Sequence, residues 1–569
     1  MLRRITPAIL IFTLISVASL GAFTNTSFRN ASTATLLEDD YDLWLGPYPL
    51  PDPARLTLID GSRLYTNLSN LVNKTEEPFS NTATDYFLIG GSTTPLFNFG
   101  NLGIVVDRFN DKNPFNTGLT DRYGNYMYGY GHAVDAVLVD EDLNGTYDRR
   151  YEVEETAEAW IDNGTKEGVL CFGKDMDAMK FGLFYQLTMM NTEEYGLSGI
   201  SPVNFTFDSS STNLISGVET YTRSTIGTGS TNDDMTEHLF GLSFWRYLSD
   251  VRAVGLHFGY GMFSGTYLDV WDVNDDWDGS PDDPSITDTY SMTESSSEDA
   301  PFSGNTMTGW LSYIDDWNEI THLRFDAYYN RSSFELDGGA VNDYSISEAR
   351  YVTNGSSYTN NGTENTPLTG DGAYQTIAAR GKVIYDLTDR VTFAFGMGFL
   401  TTTHDTTRNE NTTASYTYVY DDGDTQANDP DDYTRTTTFG YEQQIMTTDV
   451  TNNFMIPVCL EFNVIKPLDF RLGTIHTITL FDHTTNCDLL SYTEPLVHTV
   501  YGDGSESYSI PDTSFQDIGT SEESVSTSSN TVYTYGMGYR VSDNLQIDLM
   551  GFYDLTDLYN WRVSATLSF

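Results

Sequence analysis

The last nine residues, Trp561–Phe569 (WRVSATLSF), alternate bulky or apolar side chains with polar ones and end on an aromatic. Trp561, Val563, Ala565, Leu567 and Phe569 fall on one side of an extended strand. Arg562, Ser564, Thr566 and Ser568 fall on the other, because strand side chains alternate with period two. Nine residues alone also describe an ordinary half-buried strand. What decides is how often the pattern returns.

It returns throughout the chain. AVGLHFGYGM places Val254, Leu256, Phe258, Tyr260 and Met262 on one face, opposite Ala253, Gly255, His257, Gly259 and Gly261. VTFAFGMGF repeats this with Val391, Phe393, Phe395, Met397 and Phe399, and NFMIPVCLEFNV with Phe454, Ile456, Val458, Leu460, Phe462 and Val464. LQIDLMGFY sets Leu545, Ile547 and Leu549 against Gln546 and Asp548. Many strands of about ten residues, apolar on one face and small or polar on the other, are the signature of a transmembrane β-barrel.

The connections sharpen the reading. Tight links rich in Asp, Asn, Gly or Pro occur at 541–544, 465–469, 387–389, 315–318, 248–250 and 174–177. Such residues close hairpins in a few positions. Between them lie long polar segments at 191–235, 267–303, 335–372, 404–451 and 483–530. With Phe569 at the periplasmic end, every tight link falls inside and every long one outside, as bacterial outer-membrane barrels require. Counting back gives twelve strands from about Lys180, and 167–173, 101–109, 85–91 and 63–71 supply four more. The expectation is an all-β, antiparallel up-and-down transmembrane barrel of about 16 strands, with 14 to 18 open, short periplasmic turns and long acidic extracellular loops.

Composition agrees. A net charge of −52 without Lys/Arg patches excludes nucleic acid as a partner, and 38 Tyr and 32 Phe suit aromatic girdles at two membrane interfaces. The N-terminus carries Arg3 and Arg4, an apolar run from about Ala8 to Leu20, then small residues, as a cleaved secretory signal peptide does. The expected organisation is 1–22 signal peptide, 23–60 periplasmic or hatch segment, and 61–569 barrel. Three cysteines, Cys171, Cys459 and Cys487, cannot form a complete disulfide framework and show no zinc spacing.

The terminal WRVSATLSF resembles the C-terminal signal by which outer-membrane proteins are recognised by their assembly machinery; Trp561, Val563, Leu567 and Phe569 carry the likeness. That resemblance implies a Gram-negative outer-membrane location, contact with outer-membrane lipid and the barrel assembly machinery as a partner. Upstream, residues 37–70 are similar to the mature N-terminus of the long-chain fatty-acid transporter family, whose barrels carry a hatch with an acidic stretch and an Asn-Pro-Ala motif. Asp52-Pro53-Ala54 stands where that motif would be. This second resemblance implies a plugged barrel for hydrophobic substrates.

Charged residues on the polar side of strands should face the lumen, since a charge on the lipid face costs up to about 2–4 kcal/mol at the midplane. Arg246, His257, Arg324, Asp326, Glu461, Asp469, Arg471, Arg540, Asp548 and Arg562 are the candidates. They either shape a field that filters solutes or brace a plugged interior as ion pairs. Two acidic stretches place oxygen ligands at the same offsets, 1, 3, 5 and 9 with Gly at 6, which suit a hard cation: Asp140, Asp142, Asn144 and Asp148, and Asn274, Asp276, Asp278 and Asp282. Calcium in the extracellular loops is the one cofactor they suggest, and none is required. No H-E-x-x-H or G-x-S-x-G motif is present, so an enzyme is not expected.

The leading expectation is a porin-like channel for passive diffusion of small solutes, favouring cations. The alternatives are hatch-plugged uptake of hydrophobic substrates, and a barrel-anchored surface or adhesion protein with calcium-stiffened loops. Sixteen-stranded porins commonly trimerise, which makes a homotrimer the architectural analogy.

Overall fold

A computed structural model describes residues 27–45, 50–68, 85–94, 99–114, 116–120, 126–140, 146–147, 149–195, 205–214, 219–279, 288–350, 356–423, 431–510, 521–552 and 562–569. The candidate signal peptide, Trp561, and Asp142, Asn144, Asp148 and Asp282 lie outside them.

In chain order the strands are β1 Arg63–Leu68, β2 Asp85–Ser92, β3 Asn101–Pro114, β4 Asn116–Thr120, β5 Tyr126–Val139, β6 Arg149–Met176 and β7 Met179–Tyr195. There follow β8 Phe205–Asn213, β9 Glu219–Ser249, β10 Arg252–Gly279, β11 Asp288–Asn318, β12 Thr321–Arg350, β13 Ser356–Thr388 and β14 Val391–Asp421. The last are β15 Tyr433–Ile465, β16 Leu468–Tyr501, β17 Glu506–Ser509, β18 Ser521–Ser542, β19 Leu545–Phe552 and β20 Arg562–Ser568. Sixteen of them, all but β4, β5, β8 and β17, form a closed antiparallel ring. The strand number expected from the sequence is the one observed.

The terminal stretch makes the seam. β20 pairs with β1 from Arg63↔Ser568 to Leu68↔Val563. Beyond it the Phe569 amide donates to the Ser62 carbonyl at 3.0 Å, and the Ser62 amide to the Phe569 carbonyl at 3.3 Å. This closure leaves no free edge in the ring, which an apolar solvent demands.

Six hairpins turn in two residues, at Asp177–Ala178, Asp250–Val251, Glu319–Ile320, Asp389–Arg390, Lys466–Pro467 and Asp543–Asn544. Near them the outward face is apolar and uncovered: Leu256, Phe258, Tyr260 and Met262 on β10 are all exposed. Farther along, the same face carries Ser264, Thr266, Asn274, Asp276 and Asp278. The apolar stretch is the lipid belt, and the polar stretch stands in water.

The long polar segments differ from expectation. They are largely strand rather than loop, and β9 to β16 run 28 to 34 residues each. Outside the bilayer neither face needs apolar residues, so the alternation that marks a strand inside lipid vanishes. The Thr-rich composition still favours extended backbone.

Among the described residues, three short helical turns precede the barrel: α1 Phe28–Ser32, α2 Asp40–Leu45, and a 3-10 turn, Pro53–Leu58. Ser27 caps α1 by accepting from the Asn30 amide at 3.1 Å. This segment lies inside the ring. Tyr41, Trp44, Leu45, Leu50 and Leu56 pack with inward side chains Tyr65, Val105, Val169, Cys171, Phe184 and Leu239 as one buried apolar cluster. Phe28 and Ala31 pack on Met550, while Leu36 and Leu37 pack on Ala394 and Cys459.

Glycines on the inner wall admit the segment. A Cβ at Gly173 would stand 2.3 Å from the Pro53 carbonyl oxygen, and one at Gly182 would stand 2.3 Å from the Ala54 amide nitrogen. These are backbone contacts that no side-chain rotation relieves. Gly182→Val should therefore lift the 3-10 turn from the wall and expose Arg55, which is buried here. Limited trypsin digestion checks this: a new cut at Arg55 is expected in the variant, and an unchanged pattern counts against the contact's importance.

Candidate functional site: the filled lumen

The inward charges converge on the N-terminal segment rather than on open water. Glu38, between α1 and α2, receives Arg55 at 3.2 Å, Lys382 at 2.9 Å and Arg324. Lys382 also donates to the Leu36 carbonyl at 2.9 Å. Burial alone would raise the Glu38 carboxyl, but Arg324, Lys382 and Arg55 outweigh it and hold it well below the usual carboxylate range. One step farther from the tight turns, Asp326 accepts from Arg324 at 3.1 Å, Arg380 at 3.3 Å and Ser312 at 2.5 Å.

A second knot joins β15, β16 and β19 to α1. Arg471 binds Glu461 at 2.8 Å and Asp548 at 2.6 Å, and Arg29 closes on Glu461 with contacts of 2.7 and 3.0 Å. Asp469 accepts from Asn463 at 2.8 Å nearer the rim. A third contact sits at Asp52, the first residue of the Asp-Pro-Ala stretch. Trp245 donates its indole N–H to Asp52 at 2.8 Å. His257 stacks on Trp310 with centroids 4.0 Å apart and brings Nδ1 to 3.7 Å from the other Asp52 oxygen. The Ala54 amide donates to Ser243 at 2.9 Å.

Of the residues expected in the lumen, His257, Arg324, Asp326, Glu461, Asp469, Arg471 and Asp548 are on the inner side. Arg540 shares the inward parity of Gly536 and Gly538 but is exposed, two residues from the end of β18. Arg246 is a correction: it is exposed on the outer face beside Phe244 and Leu248, near the end of β9. A long cationic side chain at that depth reaches the interface, so a charge there avoids the bilayer centre. Arg562 belongs to β20, and its side chain is outside the described residues.

Sequence reading missed Glu38, Arg29, Arg55 and Lys382. Three of these lie in the segment before the barrel, where no periodicity marks a face. Lys382 does have the inward parity of β13 and was legible.

Above the plug, on the side away from the tight turns, the inner wall becomes apolar. Met190, Met235, Phe263, Phe302, Phe334 and Leu368 form a buried cluster contributed by β7 and β9 to β13. A water-filled channel is lined by polar groups at this height. An ion-paired group flanks the cluster, with Arg408 bound to Glu298 at 3.1 Å and to Glu410 at 2.8 Å.

Of the candidate calcium residues, Asp140, Asn274, Asp276 and Asp278 are described. Asn274, Asp276 and Asp278 follow one another along one face of β10, in continuous register with β9 and β11. Asp140 follows β5 directly. Among the described residues, Asp421, Asp422 and Asp432 bring three carboxylates together at the outer end of β14.

No family model matches the chain, and no curated protein does. Among solved structures, similarity is found to the Ralstonia pickettii toluene transporter TbuX at 11% identity, covering 96% of this chain and 99% of that one, with a TM-score of 0.32. The TodX monoaromatic hydrocarbon channel deltaS2 mutant matches at 11% identity over 96% and 99% of the two chains, TM-score 0.31. A Pseudomonas aeruginosa FadL homologue matches at 11% identity over 96% and 98%, TM-score 0.24.

Proposed function

We propose that this protein is a plugged outer-membrane barrel that admits apolar solutes from outside. The observation that carries the reading is the buried Met/Phe/Leu cluster on the inner wall, immediately outward of the plug. Water-soluble cargo gains nothing from such a lining, whereas an apolar solute is stabilised by about 25 cal/mol for each Å² it removes from water. The open, cation-favouring pore expected from the sequence fits less well, because the inward charges are engaged in ion pairs with residues 27–59 and with one another. On this reading the chain is exported by its N-terminal signal, and the plug lies between the apolar cluster and the periplasm.

The test is entry of the apolar dye N-phenyl-1-naphthylamine into intact cells. Cells carrying the protein should take up dye severalfold faster than cells without it, and Phe302→Asp should remove most of the gain. Equal rates with and without the protein would sink the proposal.

A further inference from the structure

Well outside the lipid belt, the inner wall carries a row of aromatic rings interrupted at one position, Glu348. Cross-strand register runs Trp277↔Tyr290 from β10 to β11, Tyr290↔Glu348 to β12, and Glu348↔Tyr358 to β13. It continues Tyr358↔Tyr420 to β14, Tyr420↔Tyr433 to β15, and Tyr433↔Tyr501 to β16. On β13 this parity is that of the buried Thr366, Leu368 and Tyr374, so the row lies on the inner side.

The rings touch in sequence. Tyr358 stacks on Tyr418 with centroids 5.4 Å apart, Tyr418 meets Tyr433 at 5.8 Å, Tyr420 meets Tyr433 at 5.5 Å, and Tyr433 meets Tyr501 at 6.3 Å. Arg435 lies over Tyr418 at 5.3 Å. Aromatic cross-strand pairs do stabilise a sheet. Yet pairing alone leaves unexplained why these rings stay only half-buried, on the concave side, in a region otherwise rich in Ser, Thr, Asn and acidic residues.

We infer that this row is a binding track for a neutral oligosaccharide of hexopyranose units. Flat faces of sugar rings present C–H groups, and these pack on aromatic faces, while the sugar edges need hydrogen-bond partners. The row offers both. Every ring from Tyr290 to Tyr501 is a tyrosine with a hydroxyl at its tip. Glu348 breaks the row between Tyr290 and Tyr358, and Asn360 and Thr499 flank it one step inward. These hydroxyl, amide and carboxylate groups can accept and donate along the edge of a sugar, whereas the natural lining for a hydrocarbon is the Met/Phe/Leu cluster deeper in the lumen. Ring contacts at regular spacing along four strands suit a chain of repeated units better than a single small ring.

The test is calorimetric titration of the full-length protein, held in an amine-oxide rather than a sugar-based detergent, with maltohexaose and with cellohexaose. Saturable binding of at least one is expected. Tyr358→Ala and Tyr433→Ala should each weaken it about tenfold or more, and Tyr433→Phe, which keeps the ring, should weaken it less. Heat-modifiable gel mobility reports whether each variant remains a folded barrel. The inference is overturned if neither hexasaccharide binds the unaltered protein, or if both alanine variants bind it unchanged. It is equally overturned if 4-nitrophenol, and no sugar, binds in a manner dependent on these tyrosines. Dye entry through the apolar chamber is a separate measurement, so either idea can fail without the other.

Discussion

Deleting Ser27–Ile59 should turn a silent barrel into a conducting one. A ring of sixteen strands is wide enough to leave an aqueous channel unless something occupies it. Here the occupant is bound around the wall: Arg29 to Glu461 on β15, Glu38 to Arg324 on β12 and Lys382 on β13, and Asp52 to Trp245 on β9. Gly103, Gly173, Gly182 and Gly473 let Trp44, Pro53, Ala54 and Ala34 close against the wall. Planar-bilayer recording checks the expectation, with the intact protein silent and the deletion giving stable steps. Steps of equal size from both would show that the segment does not occlude. Silence from a correctly inserted deletion variant would place the barrier in the apolar cluster instead.

The second large effect is expected at Glu38. Replacing it with Gln leaves Arg55, Arg324 and Lys382 close together without the carboxylate that joins them. Breaking a buried ion pair by removing one partner costs about 3–5 kcal/mol. Three cations share this one, so the upper part of that range is the expectation for docking of the segment. The barrel wall has its own hydrogen-bonded ring and should survive. The variant should therefore flicker open in bilayer recordings while keeping its folded gel mobility.

Acid should mimic the variant. The folded carboxyl titrates below its ordinary value of 4.5, so its contribution is complete above that pH and is lost as pH falls through the lower, folded value. Leak that rises only as pH drops below about 4.5, and is already present at neutral pH in Glu38→Gln, fits this account. A leak that rises instead on alkalinisation excludes it.

Much of the architecture was legible because lipid enforces a strict code. Val391, Phe393, Phe395, Met397 and Phe399 had to alternate with small residues, since one face meets hydrocarbon and the other meets the plug. Turn chemistry placed the six tight links at or within a residue of the observed two-residue turns, as with 315–318 against Glu319–Ile320. Where lipid ends, the code ends. Ser, Thr and Asp serve equally on either face of a wetted strand, so 335–372 reads as loop although nearly all of it belongs to β12 and β13.

The lumen was half legible. Parity put Arg324, Glu461, Arg471 and Asp548 inside, but only three-dimensional placement could show that Glu38 reaches Arg324 and Arg29 reaches Glu461, across 286 and 432 residues of chain. Arg246 went astray for a different reason. Near a turn, a flexible cation escapes the cost that elsewhere forces charges inward.

The length of β9 to β16 has a consequence for where this protein meets its surroundings. A strand of 34 residues, rising about 3.3 Å per residue and tilted about 40°, climbs roughly 85 Å, while the apolar belt is about 25 Å tall. Along β9 to β16 the wall therefore stands some tens of ångströms above the cell surface, whereas β1, β2, β19 and β20, next to one another in the ring, are 6 to 8 residues long. The rim is a tall screen on one side, and a solute arriving from the medium meets that screen before it reaches the level of the lipid.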